Sequence, residues 1–374
     1  MMRKVSAIVL VSAWLSACGG SSSEFTGGTI AIAELPDQLA TALCKAEKTC
    51  SPFFYGVAFA TADCKTTVSD QLSESTFTQI QVAVDAKTVT YDGAKAEKCI
   101  EAVAEGSCSV LDNQLPTVCR EALAGTVATG GDCDIDAQCT GLSRCEVTGG
   151  ACPGKCAPLV SAGVACTRDG DCAFGLTCSK VTGHCSAPAA AGEPCKGGSG
   201  AECAAGLLCI GNDDGKKLAG SCKTEASALV GKVGESCDLQ QGPWCAAGLS
   251  CVVEAVLPTA VYKCHAQATA GGECGLGVPS ECPTGQYCPV DFGDLIIGKL
   301  TASCTALPTE GDPCAPAVAL TRCAGNLVCD DTTAVLAPVC VPLHSLGQSC
   351  SSDALCKSKH CVNKVCVPES ICAK

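Results

Sequence analysis

The chain has 374 residues, of which 37 are cysteine and only 13 aromatic, with a formal net charge of −13. Nearly one residue in ten being cysteine excludes an ordinary cytosolic enzyme, because a reducing compartment would leave those thiols unpaired. The 47% apolar share overstates the core: subtracting 37 cysteines of 374 residues leaves about 37%, below the usual globular range.

The first seventeen residues read as a secretory signal. Arg3 and Lys4 supply the positive start, and Val5 to Leu15 form a largely apolar run of eleven residues. That run is shorter than the roughly 20 residues a membrane-spanning helix needs. Leu15-Ser16-Ala17-Cys18 follows, and this tetrapeptide resembles the lipobox of bacterial lipoproteins. The resemblance implies that the Cys18 thiol carries diacylglycerol and becomes the mature N-terminus. Parity agrees: a lipidated Cys18 leaves 36 cysteines, an even number. The alternative is a plain secreted protein cut after Ala17, with one thiol left over. Lipid chains at about 0.8 kcal/mol per buried methylene would give stable membrane attachment.

Residues 18–28 then form the lipidated cysteine and a Gly/Ser tether, GGSSSEFTGG, whose composition is that of a flexible coil. Gly19 stands where lipoproteins retained in the inner membrane often carry aspartate, so an outer-membrane address in the cell envelope is expected. Without Arg3 and Lys4, 23 basic against 38 acidic side chains leave −15. No basic run exists, which excludes nucleic acid as a partner.

Residues 29–128 read as a small all-α domain with three disulfides among Cys44, Cys50, Cys64, Cys99, Cys108 and Cys119. The first helix starts at Pro36 with Asp37 in its first turn, and places Leu39, Leu43, Ala46 and Cys50 on one face. A second, from about Ala62 to Ser73, carries Cys64, Val68 and Leu72. Ile80, Val82 and Val84 fit a helix or a strand. Asp92 is the expected N-cap of a helix burying Ala96, Cys99, Ile100 and Val103 and closing at Gly106. A last short helix spans Pro116 to Leu123 and ends at Gly125. The aromatic run Phe53, Phe54, Tyr55 and Phe59 is expected to fill the helical core, the alternative being an exposed partner-binding patch.

Residues 129–374 read as seven tandem four-cysteine repeats with short β-hairpins and little other regular structure. Unit 1 is Cys133, Cys139, Cys145, Cys156; unit 2 is Cys166, Cys172, Cys178, Cys185; unit 3 is Cys195, Cys203, Cys209, Cys222; unit 4 is Cys237, Cys245, Cys251, Cys264. Unit 5 is Cys274, Cys282, Cys288, Cys304; unit 6 is Cys314, Cys323, Cys329, Cys340; unit 7 is Cys350, Cys356, Cys361, Cys366. Five residues separate the second and third cysteines in six units and four in the last, and nine link consecutive units in five of six cases. The final gap varies from four to fifteen residues, the mark of a variable loop. A glycine precedes each unit where a turn needs a permissive residue: Gly131, Gly163, Gly192, Gly234, Gly271 or Gly272, Gly311 and Gly347. Cys152 and Cys372 are surplus and must pair with each other or with a partner chain, unless they displace tetrad members.

Four cysteines could bind zinc, but such sites use ligand pairs two to four residues apart, and the gaps here are mostly five to eight. Disulfides are therefore expected, and no metal or cofactor. Units of 29 to 42 residues are too small for an apolar core alone, whereas two crosslinks at about 3 kcal/mol each would stabilise one. Four cysteines allow three pairings; first with third and second with fourth is favoured, because interlacing ties both loops together.

CTRDGDCAFGLTC (Cys166 to Cys178) and CSSDALCKSKHCVNKVC (Cys350 to Cys366) resemble the Dickkopf N-terminal cysteine-rich region. The whole arrangement is similar to bacterial lipoproteins of the myxobacterial type, with a helical cysteine-bearing domain before tandem modules. The Dickkopf resemblance implies extracellular protein recognition.

Evidence for catalysis is thin. His184, His265, His344 and His360 are scattered and are expected as solvated loop residues, and no nucleophile elbow, zinc-protease or phosphate-loop motif occurs. Acidic turns at Asp134 and Asp136, Asp169 and Asp171, and Asn212-Asp213-Asp214-Gly215 lack the full calcium-loop pattern. Asx turns account for them more simply. Carbohydrate stacking would have to use Phe174, Trp244, Tyr262, Tyr287 or Phe292, and is not favoured. The expected function is a non-enzymatic, lipid-anchored envelope protein whose repeats form a rigid stalk or protein-recognition surface. The alternative is a protease inhibitor using loops such as Lys216-Lys217.

Overall fold

A computed structural model describes residues 29–59, 62–105, 108–112, 115–147, 152–179, 182–196, 201–213, 216, 218–238, 242–255, 260–275, 277–278, 281–289, 301–314, 323–330 and 338–368. Cys18, Gly106, Asp214, Gly215, Lys217, Phe292 and Cys372 lie outside them.

Helix α1 (Leu35–Cys50) starts on the Pro36 turn with Asp37 at its positive end and Lys48 at its negative end. Leu35, Leu39, Ala46 and Cys50 form its buried face. A short α2 (Pro52–Ala58) follows, and α3 (Cys64–Leu72) is capped by Asp63, whose Oδ1 accepts the Thr66 amide and hydroxyl at 2.8 Å each. Those bonds hold the Asp63 carboxyl below its ordinary range. Beyond α3 the chain widens into a π turn over Ser73–Phe77 and continues as α4 (Thr78–Asp85). The Ile80-Val82-Val84 run is thus helical, burying Ile80 while Val82 faces solvent.

Helix α5 (Gly93–Glu105) is capped by Asp92, whose Oδ1 accepts the amides of Ala94 and Lys95 at 3.1 Å. Helix α6 (Thr117–Ala122) ends earlier than its sequence suggests, because Leu123 turns into a strand. The region is therefore not all-α. β1 (Val89–Tyr91) pairs antiparallel with β2 (Leu123–Gly125), the β-branched and aromatic Val-Thr-Tyr run favouring the extended form. Aliphatic Leu39, Leu72, Val89 and Val103 fill the core, and Cys44–Cys64, Cys50–Cys108 and Cys99–Cys119 staple it.

The aromatic run departs from expectation. No residue of α2 is buried, and Phe53, Phe54, Tyr55 and Phe59 stand outside the aliphatic core. Small and aliphatic side chains already fill the space between α1, α3 and α5, so the rings turn outward.

Downstream of Ala128 the described chain consists mainly of short hairpins, each held by two disulfides. Unit 1 shows the pattern: β3 (Asp132–Cys133) and β4 (Ser143–Glu146) flank β5 (Gly154–Pro158) in one three-stranded sheet. Cys133 bonds Cys145 and Cys139 bonds Cys156, the interlaced pairing. All six further units repeat it, with sequence separations of 10 to 22. The hairpin register explains the choice. In six units the third and fourth cysteines are directly opposite on adjacent strands, as with Cys145 and Cys156 or Cys251 and Cys264. Opposite side chains share a face, so both point toward the first and second cysteines. Sulfur then takes the place of an apolar core: in unit 1 the buried cluster is the four cysteines themselves.

Two backbone positions impose the repeat. Gly130, Gly163, Gly192, Gly234, Gly311 and Gly347 have φ between 79° and 88°, and each donates its N–H to the carbonyl of its unit's fourth cysteine at 2.7 to 2.9 Å. The left-handed residue of unit 1 is thus Gly130 rather than Gly131, and that of unit 5 is Gly271 rather than Gly272. Before the third cysteine a second left-handed residue recurs, glycine in six units and Lys359 (φ 60°) in unit 7, where KSKHC breaks the pattern. Among the described residues no helix is long and apolar enough to cross a membrane.

Candidate functional site

Sulfur chemistry comes first. The sulfurs of Cys133, Cys139 and Cys156, and of the matching triads in other units, lie within 4.8 Å of one another, close enough to suggest metal ligation. Each of these cysteines is in a disulfide, and metal ligation requires free thiolates. Cys152 is disulfide-bonded as well.

The acidic turns serve the hairpins. Asp136, Asp169 and Asp353 each start a 3₁₀ turn and accept the third cysteine's amide, at 2.6, 2.7 and 2.8 Å for Cys145, Cys178 and Cys361. Asp136 also receives both terminal nitrogens of Arg168 at 2.6 and 2.8 Å, while buried Asp171 meets the Arg144 Nε at 3.3 Å. Arg144 is buried and also bonds Glu146 and the Pro158 carbonyl. Guanidinium groups thus occupy the Asp136 and Asp171 carboxylates and clamp unit 1 to unit 2. The Asp134 amide donates to Gln138.

Histidines are bonded locally. His184 Nδ1 lies 2.6 Å from the Thr182 carbonyl and His344 Nδ1 2.6 Å from that of Ser349. His265 differs from the solvated-loop expectation. It sits on the strand Val261–Ala266, with Nε2 3.1 Å from Glu254 and Nδ1 3.3 Å from buried Glu281. Glu254, held also by Lys263 at 2.8 Å, has its carboxyl below the ordinary range. His360 is in the last unit, beside Cys361.

The principal feature is a seam along which, among the described residues, six units meet the helical region. Unit 1 touches it through Gln138, whose Nε2 donates to Thr88 Oγ1 at 3.0 Å. In unit 2 the Phe174 ring lies 4.7 Å beneath the Arg120 guanidinium. Unit 3 offers the Ala205 amide to both Asp112 oxygens at 2.9 Å, and its Gly206 approaches so closely that a Cβ would sit 2.6 Å from the Cys50 carbonyl. Glu225, between units 3 and 4, accepts the Phe53 amide at 3.1 and 3.3 Å. Trp244 of unit 4 packs edge-on against Phe53 and Phe54, with ring centroids 4.8 and 6.1 Å away. Unit 6 reaches Thr67 through Asn326 at 3.2 Å. Before unit 7, the Leu346 amide donates to Glu74 at 2.8 Å, and within it Lys357 meets Asp70 at 3.5 Å.

Phe53 and Phe54 therefore dock unit 4, and two of the repeats' five aromatic residues, Phe174 and Trp244, face the helical region. Electrostatics mark the same seam. Burial and nearby Glu225 push the Glu47 carboxyl up to about 7, and burial pushes Asp112 up to about 6 against the opposing Ala205 bond. Burial likewise raises Glu225 and, beside Asp70, lowers the Lys359 ammonium. None of these seam carboxylates is marked by local sequence. The one available signal is that Trp244 is the sole tryptophan after residue 17.

Compared with known proteins, the chain matches no family model, no curated protein and no solved structure.

Proposed function

We propose that the chain is a non-enzymatic, lipid-anchored protein of the bacterial cell envelope, on the outer membrane, whose repeats are tandem copies of one Dickkopf-like module and present a protein-recognition surface. The observation that carries this reading is the constancy of the staples beside the variability of the loops. All seven units share one disulfide pairing, while the segment between third and fourth cysteines varies from four to fifteen residues. Rigid frames carrying variable loops bind with little ordering cost. A recognition surface is favoured over an extended stalk, because contacts from six units draw the array onto the helical region.

The anchor is tested by detergent phase partition of the mature protein. Cys18→Ser is expected to move it from the detergent to the aqueous phase; unchanged partition refutes the anchor. One observation favours protease inhibition as a second reading. Asp213 and Leu218 form an isolated bridge, and the side chain of Lys216 is 75% exposed and paired with Asp213 at 3.0 Å. Inhibition of trypsin-like proteases by micromolar protein, lost in Lys216→Ala, would support that reading; no inhibition would dispose of it.

A further inference from the structure

We propose that the contact of units 3 and 4 with the helical region is a pH-operated joint, closed in acid and loosened in alkali, whose opening uncovers Phe53 and Phe54. The inference stands apart from the anchor and the recognition surface proposed above.

Three carboxylates line the joint. Glu47 lies in the last turn of α1 and Asp112 ends the 3₁₀ turn Cys108–Asp112, and the Cys50–Cys108 disulfide ties the two segments together. Glu225 comes from the other side, as the first residue of the short helix Glu225–Ala228 between units 3 and 4. The charged group that faces Glu47 across the seam is therefore another carboxylate. Glu225 in turn accepts the Phe53 amide, and Asp112 accepts the Ala205 amide. Among the described residues no lysine, arginine or histidine forms an ion pair with any of the three. The flanking Lys45, Lys48 and Lys223 are exposed, and Lys48 lies over the Tyr55 ring at 5.9 Å.

Close packing makes charge costly at this contact. A Cβ at Gly206 would sit 2.6 Å from the Cys50 carbonyl, so unit 3 meets the helical region backbone to backbone, and Trp244 Nε1 is buried without a hydrogen-bond partner. Ionised carboxylates lose hydration in such a place, and ionised Glu47 and Glu225 also repel one another. Burial, with Glu225 second, accordingly holds Glu47 up at about 7. Burial holds Asp112 at about 6, although the Ala205 bond favours its ionised form, and burial raises Glu225 too. All three are raised, so the neutral forms belong to the closed joint. Their contribution is complete below the ordinary carboxyl values of 3.8 and 4.5, and is lost as pH rises through about 6 and then about 7. Units 1 and 6 dock differently, through the neutral pairs Gln138 on Thr88 and Asn326 on Thr67, and unit 2 docks on the Arg120 cation. Opening is thus local, with units 1, 2 and 6 still holding the array.

The test follows the mature full-length protein from pH 5 to pH 9. Trp244 emission is expected to shift to the red as Phe53 and Phe54 withdraw, with a midpoint between about pH 6 and about pH 7. Hydrogen exchange, corrected for the intrinsic pH dependence of amide exchange, is expected to show the Ala205 and Phe53 amides losing protection by about tenfold or more. The Thr140 amide of unit 1, bonded to the Val127 carbonyl at 2.8 Å, should keep its protection. Glu47→Gln/Asp112→Asn retains the acceptor oxygens without the charges, and is expected to hold the emission and both amides constant across the range. Glu225→Gln, a milder change, reads the joint independently: a lower midpoint supports it, and an unmoved midpoint overturns it. Constant emission and protection in the parent overturn the joint, as does a pH response that survives in the double variant. Loss of Thr140 protection alongside the other two amides overturns it as well, since the chain would then be unfolding as a whole.

Discussion

The helical region and the cysteine units solve the same problem with different materials. In the first, Leu39, Leu72, Val89 and Val103 are fully buried and three disulfides are added to an existing apolar core. In unit 1 the cysteines are the core, and among the described residues Val127 packs on them. The contrast shows that a crosslink matters in proportion to what else holds the chain. Hydrophobic burial at about 25 cal/mol per Å² can keep a helical bundle associated after a disulfide opens, but a unit of some 35 residues has little such surface to fall back on.

Opening one crosslink in each region should therefore have the largest and most unequal effect. Cys172→Ala/Cys185→Ala in unit 2 and Cys99→Ala/Cys119→Ala in the helical region each remove a loop closure worth about 3 kcal/mol. Hydrogen exchange is expected to show unit 2 amides at solvent rates in the first variant. The helical amides of the second should stay protected with an unchanged far-ultraviolet dichroism minimum. Equal loss of protection in both would erase the distinction.

The seam joining the two materials is tested next. Phe53→Ala removes the ring against Trp244 and is expected to cost about 2 kcal/mol, a half-buried aromatic truncation. Trp244 reports directly, being the only tryptophan beyond the first seventeen residues, and its emission should shift to the red. Emission unchanged in Phe53→Ala would mean that unit 4 does not rest on α2.

A smaller effect sharpens the comparison through pH. The Glu47 carboxyl is raised from 4.5 to about 7 in the folded state, so its neutral form is the one the seam favours. Stability from this group is complete below pH 4.5 and is lost as pH rises through 7. Glu47→Gln should thus stabilise the protein by about 2 kcal/mol at pH 8 and change little at pH 4. Chemical denaturation at the two pH values reads the difference, and equal gains at both would contradict it.

What could be read from the sequence follows from what is local. Cysteine spacing points to hairpins, and the interlaced pairing is favoured because it ties both loops together; that one face of a hairpin carries both downstream cysteines is legible only in the strand register. Capping and periodicity placed α1, α3 and α5 through Pro36, Asp37 and Asp92, all within a turn of the residues they govern. The seam was not legible. Phe53 and Glu225 are 172 residues apart, and Leu346 and Glu74 are 272 apart, so no local pattern links them. For the same reason the run Phe53-Phe54-Tyr55 read as core: a cluster of rings signals burial against something without saying against what. Asp136 and Asp171 read as simple turn residues, since Arg168 on Asp136 and Arg144 on Asp171 each come from the neighbouring unit.

The central claim is that the cysteine units fold back onto the helical region, and small-angle X-ray scattering of the soluble Cys18→Ser protein tests it most directly. Folded back, the chain should give a radius of gyration near the value for a compact chain of this length, about 20 Å and no more than about 25 Å. A value above about 40 Å, as for seven units strung end to end, would contradict the account.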